Sequence, residues 1–396
     1  MWRVRATAAV LVATIVVALG AAPSAGAKDP GRWLMTGASS IPVPYWQGLT
    51  SNLSKSKVFF VGVFQGLWRT TPDLLQTGGV GAEIPKRVTK REGYNHIGDP
   101  TWDRLGGGRV ILPMECYTPG VGNTCGTGAF GVADPATLDF RYYVKLDPAE
   151  IPKAMWAETS PDGRLIWTSS GDDLLAYRAS DVAPRNNGST GRVIHAVRRL
   201  PDAVPPTGIT GAAFWKGQLL LAGSSGDVYQ VWSVNTRTGE RRLAIEQKIC
   251  GESEGLDLIP TLGGALHWLI APSPSAGCKL TYGPTSALLH FTRAPAHDRY
   301  RVQVTEVDAP SIPGEVQATV QATFQGQPLR NTRVTFAGGA ARTDGNGIAT
   351  VITALEQPGR FKAFARNGSN YGLSSLVPVG LSKSAKRASA ARAPAR

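Results

Sequence analysis

Three acids occupy comparable places in separate short segments: Asp99 in His96-Ile97-Gly98-Asp99, Glu158 in Met155-Trp156-Ala157-Glu158, and Glu254 in Ser253-Glu254-Gly255-Leu256-Asp257. Gln47, in Tyr45-Trp46-Gln47-Gly48-Leu49, and His96 stand beside them in the same outline, and Thr210-Gly211 marks a fifth such segment. Where such segments converge, carboxylates share a space of low dielectric and repel unless a cation or a shared proton relieves them. Oxygen ligands with an amide suit Ca²⁺, which takes about six to eight of them. The expected metal set is therefore Asp99, Glu158, Glu254 and Gln47, with Glu92, Asn95 and Glu115 as neighbours. The same acids and His96 are the candidate catalytic residues. One chemistry is Ca²⁺-assisted attack of water on a lactone or ester; another is glycoside hydrolysis with Asp99 paired to Glu158 or Glu254. The plain alternative is that each acid faces solvent or caps a loop. No H-E-x-x-H pair or P-loop occurs.

The elements that must position these residues repeat. From Pro42 to Asp308 short apolar runs alternate with Gly, Pro, Asn and Asp turn signals, and few helical patterns occur, which marks an all-β array. Five units share an outline: an opening strand with a small residue, a polar turn, an apolar strand such as VFFVGVFQGLWRTT or QLLLAGSSGDVYQVWSV, and a further strand with alternating polar and apolar residues. The expected outer strands are AEIPKRV, RYYVKL, GRVIHAVRRL, ERRLAIEQ and YRVQVTEV, in the half-exposed pattern of a sheet edge. Four strands per unit at about 50 residues is a propeller blade. The expectation is a β-propeller over residues 42–308 with about five blades, six being the alternative, preceded by a linker over 28–41. The first strand of each blade then lines the axis, and glycine permits close backbone approach there.

From Gly314 the pattern changes to EVQATVQATF, NTRVTFAGG and GIATVITALE, separated by Gly326-Gln327-Pro328, Thr343 to Gly347 and Gln357-Pro358-Gly359. Short strands at this spacing make a β-sandwich over residues 313–380. GQPLRNTRVTF, ARTDGNGIATV and PGRFKAFA resemble the bacterial invasin/intimin-type immunoglobulin-like repeat. The resemblance covers only this region and implies an Ig-like spacer or adhesive module at a cell surface, without catalytic residues. The propeller resembles, more loosely, secreted phytase-like and gluconolactonase-like propellers, through Glu254 to Asp257 and the Ser160-Pro161-Asp162-Gly163 turn.

Residues 1–27 read as a signal peptide: Arg3 and Arg5, an apolar stretch too short for a confident span, and Ala25-Gly26-Ala27. The expected location is secreted or cell-surface, with no transmembrane span after signal removal. Of the net charge of +13, five positive charges fall in residues 381–396, which read as a disordered basic tail able to make weak electrostatic contact with an anionic envelope. The remainder carries too small a surplus for a nucleic-acid-binding core. An even number of cysteines in an oxidising compartment points to disulfides; the pairing expected from local loops is Cys116–Cys125 and Cys250–Cys278. Trp33, Trp46, Trp68, Trp102, Trp156 and Trp215 are either packing between blades or stacking surfaces for sugars. His195, His267 and His290 fall in strand patterns and are expected to be structural. The functional expectation is a monomeric exported protein binding a ligand, surface polymer or protein partner, with a cation-dependent hydrolase as the alternative.

Overall fold

The computed structural model describes residues 32–42, 44–62, 65–184, 191–249, 251–260, 265–271 and 286–380. The signal peptide, the basic tail and the Cys250–Cys278 bridge expected from sequence lie outside these residues. The segment from Gln47 to Arg293 forms five sheets, one per repeat and antiparallel but for one outer strand of the second, each numbered here as a blade. Their inner strands are Gly48–Ser51, His96–Ile97 with Thr101–Asp103, Glu158–Thr159, Gly208–Trp215 and Glu252–Leu258. Each inner strand adjoins the next, and that of blade 5 adjoins that of blade 1, so the ring closes. The protein is a five-bladed β-propeller.

The apolar alternation of the second and third strands places side chains between blades. Phe59, Leu67, Leu112 and Met114 fill the seam between blades 1 and 2, while Phe130, Val144, Ile166 and Tyr177 fill that between blades 2 and 3. A polar clasp reinforces the second seam. Buried Asp103 receives Arg109 at 2.8 and 2.6 Å, and the same guanidinium donates to the carbonyls of Ala179 and Val182 on blade 3.

Three expected edges differ. AEIPKRV is not an outer strand: Gln76–Val80 takes that place, and Lys86–Glu92 forms a short helix. Pro85 precedes the helix, Gly93 ends it in the left-handed region with its N–H on the Thr89 carbonyl, and Lys90 and Arg91 lie in its last turn, an arrangement that favours helix over strand. GRVIHAVRRL splits, with Arg192–Ile194 pairing parallel to blade 2 and Arg198–Leu200 pairing with blade 3. YRVQVTEV leaves the propeller: Arg301–Asp308 pairs with Gly314–Phe324. The outer strand of blade 5 is Trp33–Ile41, within the segment expected as a linker. An edge-strand pattern states that one side is wet; it does not state which sheet the strand joins.

The C-terminal region comprises two sheets over a core that includes Val316, Val320, Val334, Phe336 and Val351. It is joined to the ring through backbone. Gly359–Phe361 pairs with the free side of Trp33–Ile41, and Val377–Val379 follows, so blade 5 continues into a six-stranded sheet. Behind this junction His267 and His290 are fully buried, with their Nδ1 atoms 2.9 Å apart, His290 Nε2 2.9 Å from Ser39 Oγ and His267 Nε2 2.6 Å from the Ile259 carbonyl. Burial, then the neighbouring ring, hold His290 well below the usual histidine range. Both histidines are structural, as expected.

Cys116 and Cys125 form a disulfide beside the start of the blade 2 inner strand. Closing a loop of this length contributes roughly 2–3 kcal/mol. Replacing both cysteines by serine should lower the melting temperature by about 5 °C. Calorimetry of the variant checks this, and an unchanged melting temperature would show the loop to be equally ordered without the bond.

Candidate functional site

The axis has three levels, set by position along the inner strands. At the middle level sits Asp99, with no exposure. Its Oδ1 accepts the Leu49 amide at 2.8 Å, and its Oδ2 accepts those of Ala212 at 3.1 Å and Leu256 at 3.4 Å. Its backbone pairs with blade 3, donating to the Met155 carbonyl and accepting from the Ala157 amide. One residue thus connects all five blades. The approach needs glycine: a Cβ on Gly48 would lie 2.5 Å from Asp99 Cα, and one on Gly255 would lie 2.4 Å from Asp99 Oδ1. Burial raises the Asp99 carboxyl well above its ordinary range, against the opposing effect of the three amides and with the Glu158 charge adding to the rise.

At the level where the inner strands begin, Gln47 bridges two expected site residues. Its Nε2 donates to Glu254 Oε2 at 3.2 Å, and its Oε1 lies 3.0 Å from His96 Nε2. That amide orientation requires the proton on His96 Nε2. His96 Nδ1 then faces Glu115 Oε1 at 3.0 Å, at ion-pair separation but outside hydrogen-bond alignment. Tyr117 packs on the His96 ring, and its backbone is held by Asn95. Burial first, then the nearby Glu252 charge, push Glu254 well above the carboxylate range.

Where the inner strands end, the strands diverge around a cavity of about 280 Å³. All five blades contribute: Thr50 and Ser51, Thr101 and Trp102, Glu158 and Thr159, Phe214, and Asp257 with Leu258. Glu158 Oε1 accepts the Phe214 amide at 3.0 Å, and its Oε2 lies 3.0 Å from Thr101 Oγ1, which in turn accepts the Thr159 amide at 2.9 Å. Asp257 Oδ1 accepts the Leu258 amide at 2.7 Å and faces Lys55 Nζ at 3.4 Å; its Oδ2 accepts Ser51 Oγ. Lys55 also donates to Ser51 Oγ at 2.6 Å. Burial and then the Asp257 charge push Glu158 up to about 8.

The expected residues therefore share the axis without sharing a site. Gln47, His96 and Glu254 come together at one end, Glu158 stands at the other, and Asp99 closes the space between them. The set Asp99, Glu158, Glu254 and Gln47 does not gather around one point, and the Asp99 oxygens are occupied by amides. Among the described residues, the trio spaced for a metal is Asp147, Glu150 and His195, at the outer edge of blade 2 where it meets blade 3. There, Asp147 Oδ2 already meets His195 Nδ1 at 2.9 Å, and Glu150 Oε2 already accepts Tyr177 Oη and the Ala196 amide. The expected neighbours Asn95 and Glu115 belong to the His96 end; Glu92 instead bonds Tyr143 and Lys145. Of the tryptophans, Trp156 is fully buried, Trp33 packs edge-on against Trp215, Trp68 packs beside Tyr45, and Trp46 is half-buried away from the cavity. Trp102, stacked on Phe59, is the one that lines the cavity.

Sequence reasoning missed Ser51, Lys55, Thr101 and Asp257. Each lies within a few residues of an aligned opening. The signal was present in the strand register: residues two further along share a face, so the cavity end could have been read from the same alignment as the axis.

No family model matches the chain, and no curated protein matches it. Among solved structures, a luciferin-regenerating enzyme is similar at a TM-score of 0.39 and 11% identity, over 64% of this chain and 94% of that one. Glutaminyl cyclase from Myxococcus xanthus aligns at a TM-score of 0.40 and 10% identity, over 66% and 97%. The Cps50 (Swd1) β-propeller domain from Myceliophteria thermophila aligns at 0.30 and 12%, over 84% and 96%. The blade assignment rests on this chain's own strand pairing and ring of inner strands.

Proposed function

We propose that this chain is an exported propeller protein that binds a saccharide unit in the cavity where its inner strands end. The observation that carries the reading is the lining of that cavity. Ser51 and Thr159, the Asp257 carboxylate and the Lys55 ammonium line it together with the aromatic side chains of Trp102 and Phe214. Convergent hydrogen-bonding groups beside an aromatic face match a polyhydroxylated ring, which has a polar rim and an apolar C–H face. The volume is at the small end of ligand pockets, about 300–1,000 Å³, and suits one ring rather than a chain.

Export rests on the N-terminal sequence. The resemblance of residues 313–380 to invasin/intimin-type Ig-like repeats supports a role at the cell surface, and the basic tail supports weak attachment to an anionic envelope. A Ca²⁺ ion in the channel has less support, because its expected ligands are spread over three levels. Titration of the full chain with a monosaccharide panel, followed by saturation-transfer NMR, tests the binding reading. At least one neutral or acidic sugar should bind, and Lys55→Met should weaken it about tenfold. Absence of saturation transfer across the panel would reject the reading.

A further inference from the structure

We propose that the cavity hydrolyses a glycosidic bond, with Glu158 protonating the departing oxygen and Asp257 taking a proton from the attacking water. The inference rests on the saccharide-binding reading and adds an activity to it.

Two carboxyl groups enter the same cavity from blades 3 and 5, and their surroundings differ in kind. Asp257 is provided with positive and donor groups: Lys55 Nζ, the Ser51 hydroxyl and the Leu258 amide. These suit a carboxylate. Glu158 has no cation within bonding distance among the described residues and is held by one amide and one hydroxyl. Thr101 can accept as well as donate, so Glu158 keeps a partner whether it carries its proton or not. Burial and the neighbouring charge raise Glu158 to about 8, so it holds a proton at neutral pH. A buried carboxyl that keeps its proton, sharing a cavity with one that meets a cation, is the arrangement of an acid and a base.

The step balances without a further reactant. Glu158 gives its proton to the glycosidic oxygen as the bond from that oxygen to the anomeric carbon breaks, and the electron pair stays on the leaving oxygen. Water bonds to the anomeric carbon and loses a proton to Asp257. The Asp257 proton returns to Glu158 through solvent, and one glycoside plus one water become two hydroxyl compounds. Asp257 acts through water because Ser51 and Lys55 already occupy its oxygens. Lys55 and Ser51 are positioning residues in this scheme.

The test uses the full chain with nitrophenyl and alkyl glycosides of whichever sugars bind. Wild type should turn over at least one, and activity should fall as pH rises through about 8. Glu158→Gln and Asp257→Asn should each lose about 10²–10⁴-fold in kcat while binding the free sugar within a few-fold of wild type. The Glu158→Gln loss should be greater for alkyl than for nitrophenyl substrates, since only the poorer leaving group needs the proton. Sugar binding without turnover by wild type would overturn the inference and leave the binding reading standing. Turnover that survives both substitutions would overturn the assignment of these residues. Failure of every sugar to bind would remove the binding reading itself, and the inference with it.

Discussion

Asp99→Ala should unfold about 10 °C or more below the wild-type protein. The substitution removes the acceptor of the Leu49, Ala212 and Leu256 amides at a point where the glycines of the ring leave no solvent access. Each buried donor left without a partner costs about 1–3 kcal/mol, and three together cost on the order of 5 kcal/mol. For a chain of this size about 2 °C of melting temperature is lost per kcal/mol. Asp99→Asn should fall between the two, because it keeps the volume but turns one acceptor toward the amides into a donor. Scanning calorimetry of the three proteins checks the order. A melting temperature for Asp99→Ala within 2–3 °C of wild type would mean that the axis is held by backbone packing alone.

Glu158→Gln should do the reverse and stabilise the protein, in a pH-dependent way. The folded-state carboxyl is raised from 4.5 to about 8. Below pH 4.5 both folded and unfolded forms carry the proton, and the native state suffers no penalty. Between 4.5 and 8 the unfolded chain releases the proton while the native one retains it, so stability declines by about 1.4 kcal/mol per pH unit. At pH 7 the accumulated cost is up to about 3 kcal/mol. Glutamine is neutral throughout; its oxygen can still accept the Phe214 amide and its NH₂ can donate to Thr101. The variant should therefore melt about 5 °C higher than wild type at pH 7–8 and at the same temperature near pH 4. Equal differences at both pH values, or a lower melting temperature at pH 8, would contradict the assigned shift. A gain in stability together with the loss of turnover proposed above would mark Glu158 as a group retained for chemistry at a structural cost.

The two predictions share a cause in how the ring closes. Asp99 and the glycines around it fill the axis, so the propeller has two separate chemical faces rather than one through-channel. The His96–Gln47–Glu254 chain on one face and the Glu158–Asp257 cavity on the other cannot exchange a ligand along the axis. Leu53 and Arg104, both exposed, stand among the residues that line the cavity.

Much of this architecture was legible before any coordinates. The repeated openings Gln47-Gly48, Gly98-Asp99, Gly211-Ala212 and Gly255-Leu256 state that inner strands meet at close range, because only glycine lets backbones approach so nearly. That local requirement is carried by residue type, and it correctly placed Asp99 at the axis. The partners of its carboxylate were not legible, since they are amides, which every residue possesses and no sequence distinguishes.

Edges show the same division. The alternation in Arg301–Asp308 declared a half-buried strand, whereas Trp33–Ile41, nearly all buried, lay in the segment expected as a linker. Which of them would complete blade 5 depended on contacts about 250 residues apart, such as Gly37 beside His290. The strand content, the repeat, the glycine-lined axis and the Cys116–Cys125 loop follow from residue type and spacing, which act over a few residues. Tertiary structure alone decided that Glu158 and Asp257 share a cavity while Glu254 lies beyond the Asp99 plug. A side chain's level along the axis depends on how far each strand is shifted against its neighbours, and that shift is set by packing of the whole ring.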